Sequence, residues 1–384
     1  MIVCAAVAAV AAVAACAARG PVLPPVTTVT PSPRWEEVFT CTEGWTGADG
    51  AATVALPGNR LLWLFGDTFI GRVVDGKHAA GTKMVNNTLG VTPFDAEPPD
   101  RMSFFWGGTG QTLEAWAKPT QQDEWFWPAS GGVLAPGPDG KERLVLFMSR
   151  ISRRDGGESV WNFRARGTTA LIVSNPAHEI EQWKTSQTTL TTLVDGGRIL
   201  MWGTGAAAVP GKDGPEVLIL GIDETNVMDK RLVEARAPAK TVEKFETWRF
   251  RTAEGWSERE SDAAATAEGL SSEISLHRMN VRGKDCLVVV YSEAMLGRGI
   301  MVRVRAFPDG AWSEPVRLYD CPEPLEDRRM MAYSAKAHPE ISRSGELLVS
   351  YSVNSTDFGD VLSHAEKYRP RFVRVPVSML PGAP

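Results

Sequence analysis

The chain has 384 residues and a formal charge of −5, from 41 Lys and Arg against 46 Asp and Glu. That length buries a large core, as one big β domain or two ordinary ones. The mild acidity argues against a nucleic-acid partner, and no basic run offers a membrane-surface patch.

From the start of the chain, residues 1–18 are Ala/Val-rich and apolar from Ile2 onward. The run is too short and too weakly hydrophobic for a membrane span and reads as an export signal. Val13-Ala14-Ala15-Cys16 resembles the lipobox of bacterial lipoproteins, which implies lipidation of Cys16, although no positive charge precedes the apolar run. Residues 19–33, rich in Pro and Thr, read as a tether. The expected location is outside the cytoplasm: periplasmic, extracellular or lipid-anchored to the envelope, with a lipid anchor as the sole membrane contact. Residues 34–384 form the folded part. Its cysteines, Cys41, Cys286 and Cys321, lack CxxC or metal-type spacing and read as buried free thiols.

Across the chain, 36 Gly, 26 Pro and 13 Trp point to many turns and short strands. One phrase recurs, a Gly-containing turn followed by an apolar strand: LPGNRLLWLFGDT, PGPDGKERLVLFMSR, PGKDGPEVLILGID, VRGKDCLVVVYSE and SRSGELLVSYSVN. The apolar runs begin at Leu61, Leu144, Val217, Leu287 and Leu347, so each repeat has room for one sheet. The strands before the first three turns open with Gly, Ala and Ser, which let backbones crowd around a shared axis. The expected fold is all-β, a five-bladed β-propeller, and a pair of β-sandwiches fits the repeat less well. Thr112 to Lys118 and Ser363 to Tyr368 are the best short helical segments.

With Pro57-Gly58-Asn59 as the first turn, Asp49 and Asp67 fall opposite each other or one step displaced. That separation, about 4.5–8 Å between Cβ atoms, suits two carboxylates working on one glycosidic bond. Aligning the other repeats brings Ser130, Thr204, Glu273 and the Lys336–His338 pair to the same end. Asp49, Asp67, Glu273 and His338 are therefore expected to converge on one mouth of the axis, where like charges raise each other's pKa. An Asp in a Gly-Asp-Thr turn also serves simply to bond turn amides.

WTGADGAATVALPGNRLLWLFGDTFIG, the VNNT at Val85 to Thr88, and YSAKAHPEIS with GELLVSYSVNS resemble a group of secreted bacterial five-bladed propellers. That group includes the endo-D-arabinanases and is more distantly similar to arabinanases, β-xylosidases and invertases. The likeness spans about residues 34 to 378 and implies hydrolysis of a furanose-containing polysaccharide or oligosaccharide in an axial funnel. It implies catalytic roles for Asp49 and Asp67, which match the relatives' paired aspartates. Glu273 is the analogue of the proton donor of the distant furanosidases, though in the fourth repeat rather than the third. Asn87 matches a motif position that implies substrate contact.

Other candidates have two readings each. His338 is either a substrate or axial-cation ligand or a histidine bonded to a neighbouring strand, and no other cofactor is indicated. Trp45, Trp106, Trp116, Trp125 and Trp127 are either sugar-stacking walls or wedges between sheets. Arg164 and Arg166 either face the funnel, to bind hydroxyls or a carboxylate, or lie on a solvated edge. A non-catalytic carbohydrate-binding propeller and a cell-surface protein scaffold remain the alternatives to an enzyme. The acid pair favours the enzyme.

Overall fold

The computed structural model describes residues 28–154, 162–191, 197–226, 228–294 and 297–384. The expected export segment 1–18, Cys16 and most of the tether lie outside the described residues. Thr30–Pro31, within the segment read as tether, is a strand paired with Arg371–Pro376, so the folded part begins earlier than residue 34. No helix among the described residues is long and apolar enough to cross a membrane. Cys41, Cys286 and Cys321 are free, the last two buried.

The expected all-β class holds. The first sheet runs through Ala52–Leu56, Arg60–Phe65, Thr88–Pro93 and Ser103–Phe105, and the second through Glu124–Pro136, Glu142–Arg153, Phe163–Val173 and Thr185–Thr191. The third begins Leu200–Gly211, Gly214–Asp223 and Lys230–Pro238, with short strands beyond. The fourth is Ile274–Val281, Lys284–Ser292, Gly299–Ala306 and Val316–Asp320, and the fifth Met330–Ala337, Glu346–Ser355 and Arg371–Pro376, finished by Thr30–Pro31. A sixth, small sheet joins Glu43–Ala48, Thr68–Val74, Lys77–His78 and Lys83–Val85 and prolongs the first hairpin.

The apolar runs recognised in the sequence are the second strands of the five larger sheets, and each is buried on both faces, which is why it lacks alternation. Leu61, Trp63 and Phe65 pack with Leu348 and Phe372 of the fifth sheet, while Leu62 and Leu64 pack with Leu144 and Leu146 of the second. The same division repeats along the chain. Val145 and Phe147 meet Val217 and Ile219; Leu218 and Leu220 meet Leu287 and Val289; Val288 and Val290 meet Leu347 and Val349. Among the described residues the five larger apolar clusters are each shared by neighbouring sheets, and a sixth, small one joins Phe69, Val361 and Tyr368. Each of the larger sheets thus packs on both faces, whereas a sheet of a sandwich packs on one.

Polar links follow the same order. Arg60 of the first sheet bonds the Pro176 carbonyl at 2.9 Å, and Arg143 of the second meets Glu243 at 2.6 Å. Arg305 of the fourth sheet reaches the buried Glu234 of the third at 2.8 Å. Neither expected helix is as read. Only Gly110–Thr112 turns helically in the first region, and Pro119 cannot continue a helix. In the second, the helix is Phe358–Ser363, capped by Asp357 accepting from the Gly359 N–H at 2.9 Å, with a separate 3₁₀ turn at Ala365–Tyr368.

A chain beginning at residue 33 loses the Thr30–Pro31 pairing and the Ser32 N–H bond to Phe372 O. We expect calorimetry to find it melting about 2–4 °C below a chain beginning at residue 28, the equivalent of ~1 kcal/mol.

Candidate functional site

The site is made by breaking the first hairpin. Its two arms pair regularly at Ala52↔Leu64 and again at Ala48↔Thr68, on one continuous register. Between these pairings both arms kink, at Asp49-Gly50-Ala51 and at Gly66-Asp67. The Asp49 N–H still faces Asp67 O at 3.4 Å and the Gly66 N–H donates to Asp49 O at 3.0 Å, so the aspartates are directly opposed. Gly50 has φ +90° and Ala51 φ +56°, the latter an expensive conformation for a residue with a Cβ. A Cβ on Gly66 would fall on Asp49 Oδ1, so only glycine admits that carboxyl. The Gly50 N–H is held by Ser352 Oγ of the fifth sheet at 3.0 Å.

The kink sends the two acids to different neighbours. Asp49 Oδ2 accepts from the hydroxyls of Tyr333 at 2.7 Å and Tyr368 at 3.0 Å. Asp67 Oδ1 accepts from Trp127 Nε1 of the second sheet at 2.8 Å and from Asn86 Nδ2 at 3.1 Å. Burial raises both carboxyls. Asp49, further burdened by the charges of Asp67 and Glu273, is pushed up to about 8. Asp67 reaches about 6, because the Trp127 and Asn86 donors and the charge of Arg153 oppose its burial. Near neutrality one acid keeps its proton and the other does not.

Glu273 precedes the strand Ile274–Val281 and joins the same cluster. Its Oε2 accepts from Ser334 Oγ and lies 3.3 Å from Lys336 Nζ. Lys336 is fully buried, which lowers its pKa, and Glu273 is the nearest charge opposing that shift. The register of the fifth sheet slips between Tyr333 and Lys336, where Ser334 has φ +55°. Equivalent slips occur at Ser130 (φ +73°) and Gly203 (φ +87°) in the first strands of the second and third sheets. Such bulges re-aim side chains at one end of a strand.

Asp49, Asp67 and Glu273 therefore come together, while three other expected residues do not join them. His338 is fully buried: Nδ1 meets Thr53 Oγ1 at 3.0 Å, Nε2 meets Ser350 Oγ at 2.7 Å, and Trp63 lies 5.0 Å away. Both ring nitrogens are thus engaged by hydroxyls of neighbouring strands, in line with the reading of a bonded histidine. Among the described residues no three His, Cys, Asp or Glu groups converge as metal ligands. Trp45 is core, stacked on Phe104 at 4.5 Å. Asn87 is buried and staples backbone, donating to Ala117 O and Phe126 O and accepting from the Ala117 N–H.

Trp127 reaches the site as a hydrogen-bond donor, with its ring edge-on to Phe163 at 4.7 Å. Arg166 lines a recess of about 670 Å³ beside Asn86. Tyr333 and Tyr368 were not singled out by sequence reasoning; they belong to a set of only five tyrosines, and Tyr333 opens the YSAKAH motif.

Residues 33–377 match the family described as "Domain of unknown function (DUF5005)". No curated protein matches the chain. A Bacteroides ovatus protein, named only provisionally as a hydrolase, superposes with a TM-score of 0.71 at 18% identity, covering 90% of each chain. A GH62 hydrolase in complex with xylotriose gives 0.44 at 9% identity, covering 86% of this chain and 92% of that one. The Phanerochaete chrysosporium exo-β-1,3-galactanase with galactotriose gives 0.44 at 9%, covering 88% of this chain and 64% of the other. Of these, the first superposition alone is close enough to speak to the fold, and it speaks to nothing else.

Asp49 binds its proton more tightly folded, at about 8, than in an unfolded chain, at the ordinary 3.8. Its contribution to stability therefore falls as pH rises from about 4 to about 8. Asp49→Asn, which escapes that penalty, is expected to melt several degrees above the parent at pH 8, with the gap closing towards pH 4. A gap independent of pH would contradict the assignment.

Proposed function

The chain belongs to the DUF5005 family, and from that premise we propose that it is an exported glycoside hydrolase acting on a furanose-containing polysaccharide. In this reading the five larger sheets are the blades of a five-bladed propeller, and the acids stand at its axial mouth. Five apolar layers shared by successive sheets, the last joining fifth to first, support that architecture. The observation that carries the function is the opposed pair Asp49 and Asp67, delivered by one kinked hairpin yet held by different hydrogen-bond donors. The furanose assignment rests on the likeness of the first and last motifs to the arabinanase group. Export rests on the apolar segment 1–18, with Cys16 as the lipid attachment.

The division of labour follows from the contacts. Two phenols already donate to Asp49 Oδ2, so the exchangeable proton belongs on Oδ1, and Asp49 is the acid that protonates the leaving glycosidic oxygen. Asp67, ionised above about 6 and oriented by Trp127 and Asn86, attacks the anomeric carbon or activates water. Glu273 acts on Asp49 through its charge, and Lys336 limits that charge. The surrounding negative potential favours an oxocarbenium-like transition state.

Incubation with polysaccharides and synthetic furanosides should release new reducing ends from at least one member. The pH profile of kcat/KM should be bell-shaped, with limbs near the two values, about 6 and about 8, set by the pair. Asp67→Asn and Asp49→Asn should each lower kcat/KM by about 10²–10⁴-fold, and by the same linkage Asp67→Asn should not lower Tm above about pH 6. Full activity in Asp67→Asn would end the proposal, as would glycan binding with no bond cleavage by the parent.

A further inference from the structure

The recess beside the acid pair has a composition that neither acid nor water handling explains. Its wall includes Asn86, whose amide also holds Asp67, and three arginines, Arg153, Arg164 and Arg166. The charge of Arg153 is felt at Asp67 itself. Two acids share the wall, Asp123 and Glu124. Asp123 is exposed, and Glu124 is already engaged: Arg150 Nη1 meets its Oε2 at 3.1 Å and Arg166 Nε its Oε1 at 3.5 Å. With Arg150 behind the wall, four arginines stand against two carboxylates.

The guanidinium geometry is more informative than the count. Arg166 is anchored through Nε, and Arg164 is anchored the same way, its Nε donating to Ser152 Oγ at 3.4 Å. Among the described residues neither Nη end meets a protein acceptor. Both side chains line the one recess, Arg164 from the regular strand and Arg166 from the position where its register against Glu142–Arg153 slips. A guanidinium fixed at Nε and open at Nη is a preset fork for a carboxylate. Neutral sugars, whose hydroxyls both donate and accept, do not call for such a surplus of cationic donors.

We propose that this recess is a subsite for a carboxylate-bearing sugar, with Arg164 and Arg166 as its ligands, so that the glycan taken by the site is an acidic, uronate-containing one. The inference rests on the glycosidase reading for its link to cleavage, the subsite lying next to Asp67. It adds a charge requirement to the substrate.

The test reads binding and cleavage separately. Asp49→Asn keeps the uncharged state that Asp49 holds near neutrality and lacks only the proton to give. In that background, binding is measured by titration against uronate-containing polysaccharides and the same polysaccharides after chemical reduction of their carboxyls to alcohols. At least one acidic member should bind, and carboxyl reduction should weaken it about tenfold or more. Arg164→Gln with Arg166→Gln should produce the same loss, and Arg166→Lys, which keeps the charge and gives up the fork, an intermediate one. Equal binding of reduced and unreduced forms, insensitivity to the arginine changes, or no binding of any acidic member would overturn the subsite. Cleavage of a neutral furanoside by the parent would then leave the hydrolase standing. Acid-selective binding without any reducing-end release by the parent would sink the hydrolase and spare the subsite.

Discussion

A shared kink in one hairpin is the constraint on which the site depends. In an unbroken antiparallel ladder, directly opposed residues stand on one face and share one environment. Here the arms lose their pleat together at Asp49-Gly50-Ala51 and Gly66-Asp67 and then resume the same register. The opposed backbones stay bonded while the side chains part, Asp49 towards the tyrosines of the fifth sheet and Asp67 towards Trp127 of the second. Left-handed backbone at Ala51 is the strain that this arrangement requires. Ser352, Tyr333 and Tyr368, all from the far end of the chain, hold it in place.

Neighbouring carboxyls in a poorly solvated hollow cannot both be ionised cheaply. The protein does not remove the conflict but distributes it. Asp67 receives an indole, an amide and a distant cation; Asp49 receives phenols and the repulsion of Glu273. Lys336, buried without solvent, balances Glu273 and keeps the cluster from carrying three full negative charges. Removal of one member therefore changes the proton affinity of the others, and on the proposed reading activity and stability share one electrostatic origin.

Part of this was legible in the sequence and part was not, for identifiable reasons. Gly58 and Asn59, both with positive φ, specify the turn, and turn position specifies register, so the opposition of Asp49 and Asp67 followed. Glu273 was reachable because the repeat brings corresponding strand ends together. Trp45 and His338 were left with two readings each, and Asn87 was read as a substrate contact, because a period of two says which side a residue takes and not what covers that side. The cover over Trp45 comes from Phe39 and Phe104, neither marked by any repeat. Tyr368 meets Asp49 across 319 positions, a contact that no local pattern encodes.

The pairing of Thr30–Pro31 with Arg371–Pro376 makes the two extremities of the folded chain partners in a single sheet. Until both are present, the outer edge of Arg371–Pro376 is an unpaired row of amides and carbonyls, the kind of template that recruits foreign strands. Joining ends so distant adds only a logarithmic entropic penalty, but it makes the last step of assembly long-range and slow. The edge of that sheet is therefore covered only when segments from opposite ends of the fold meet.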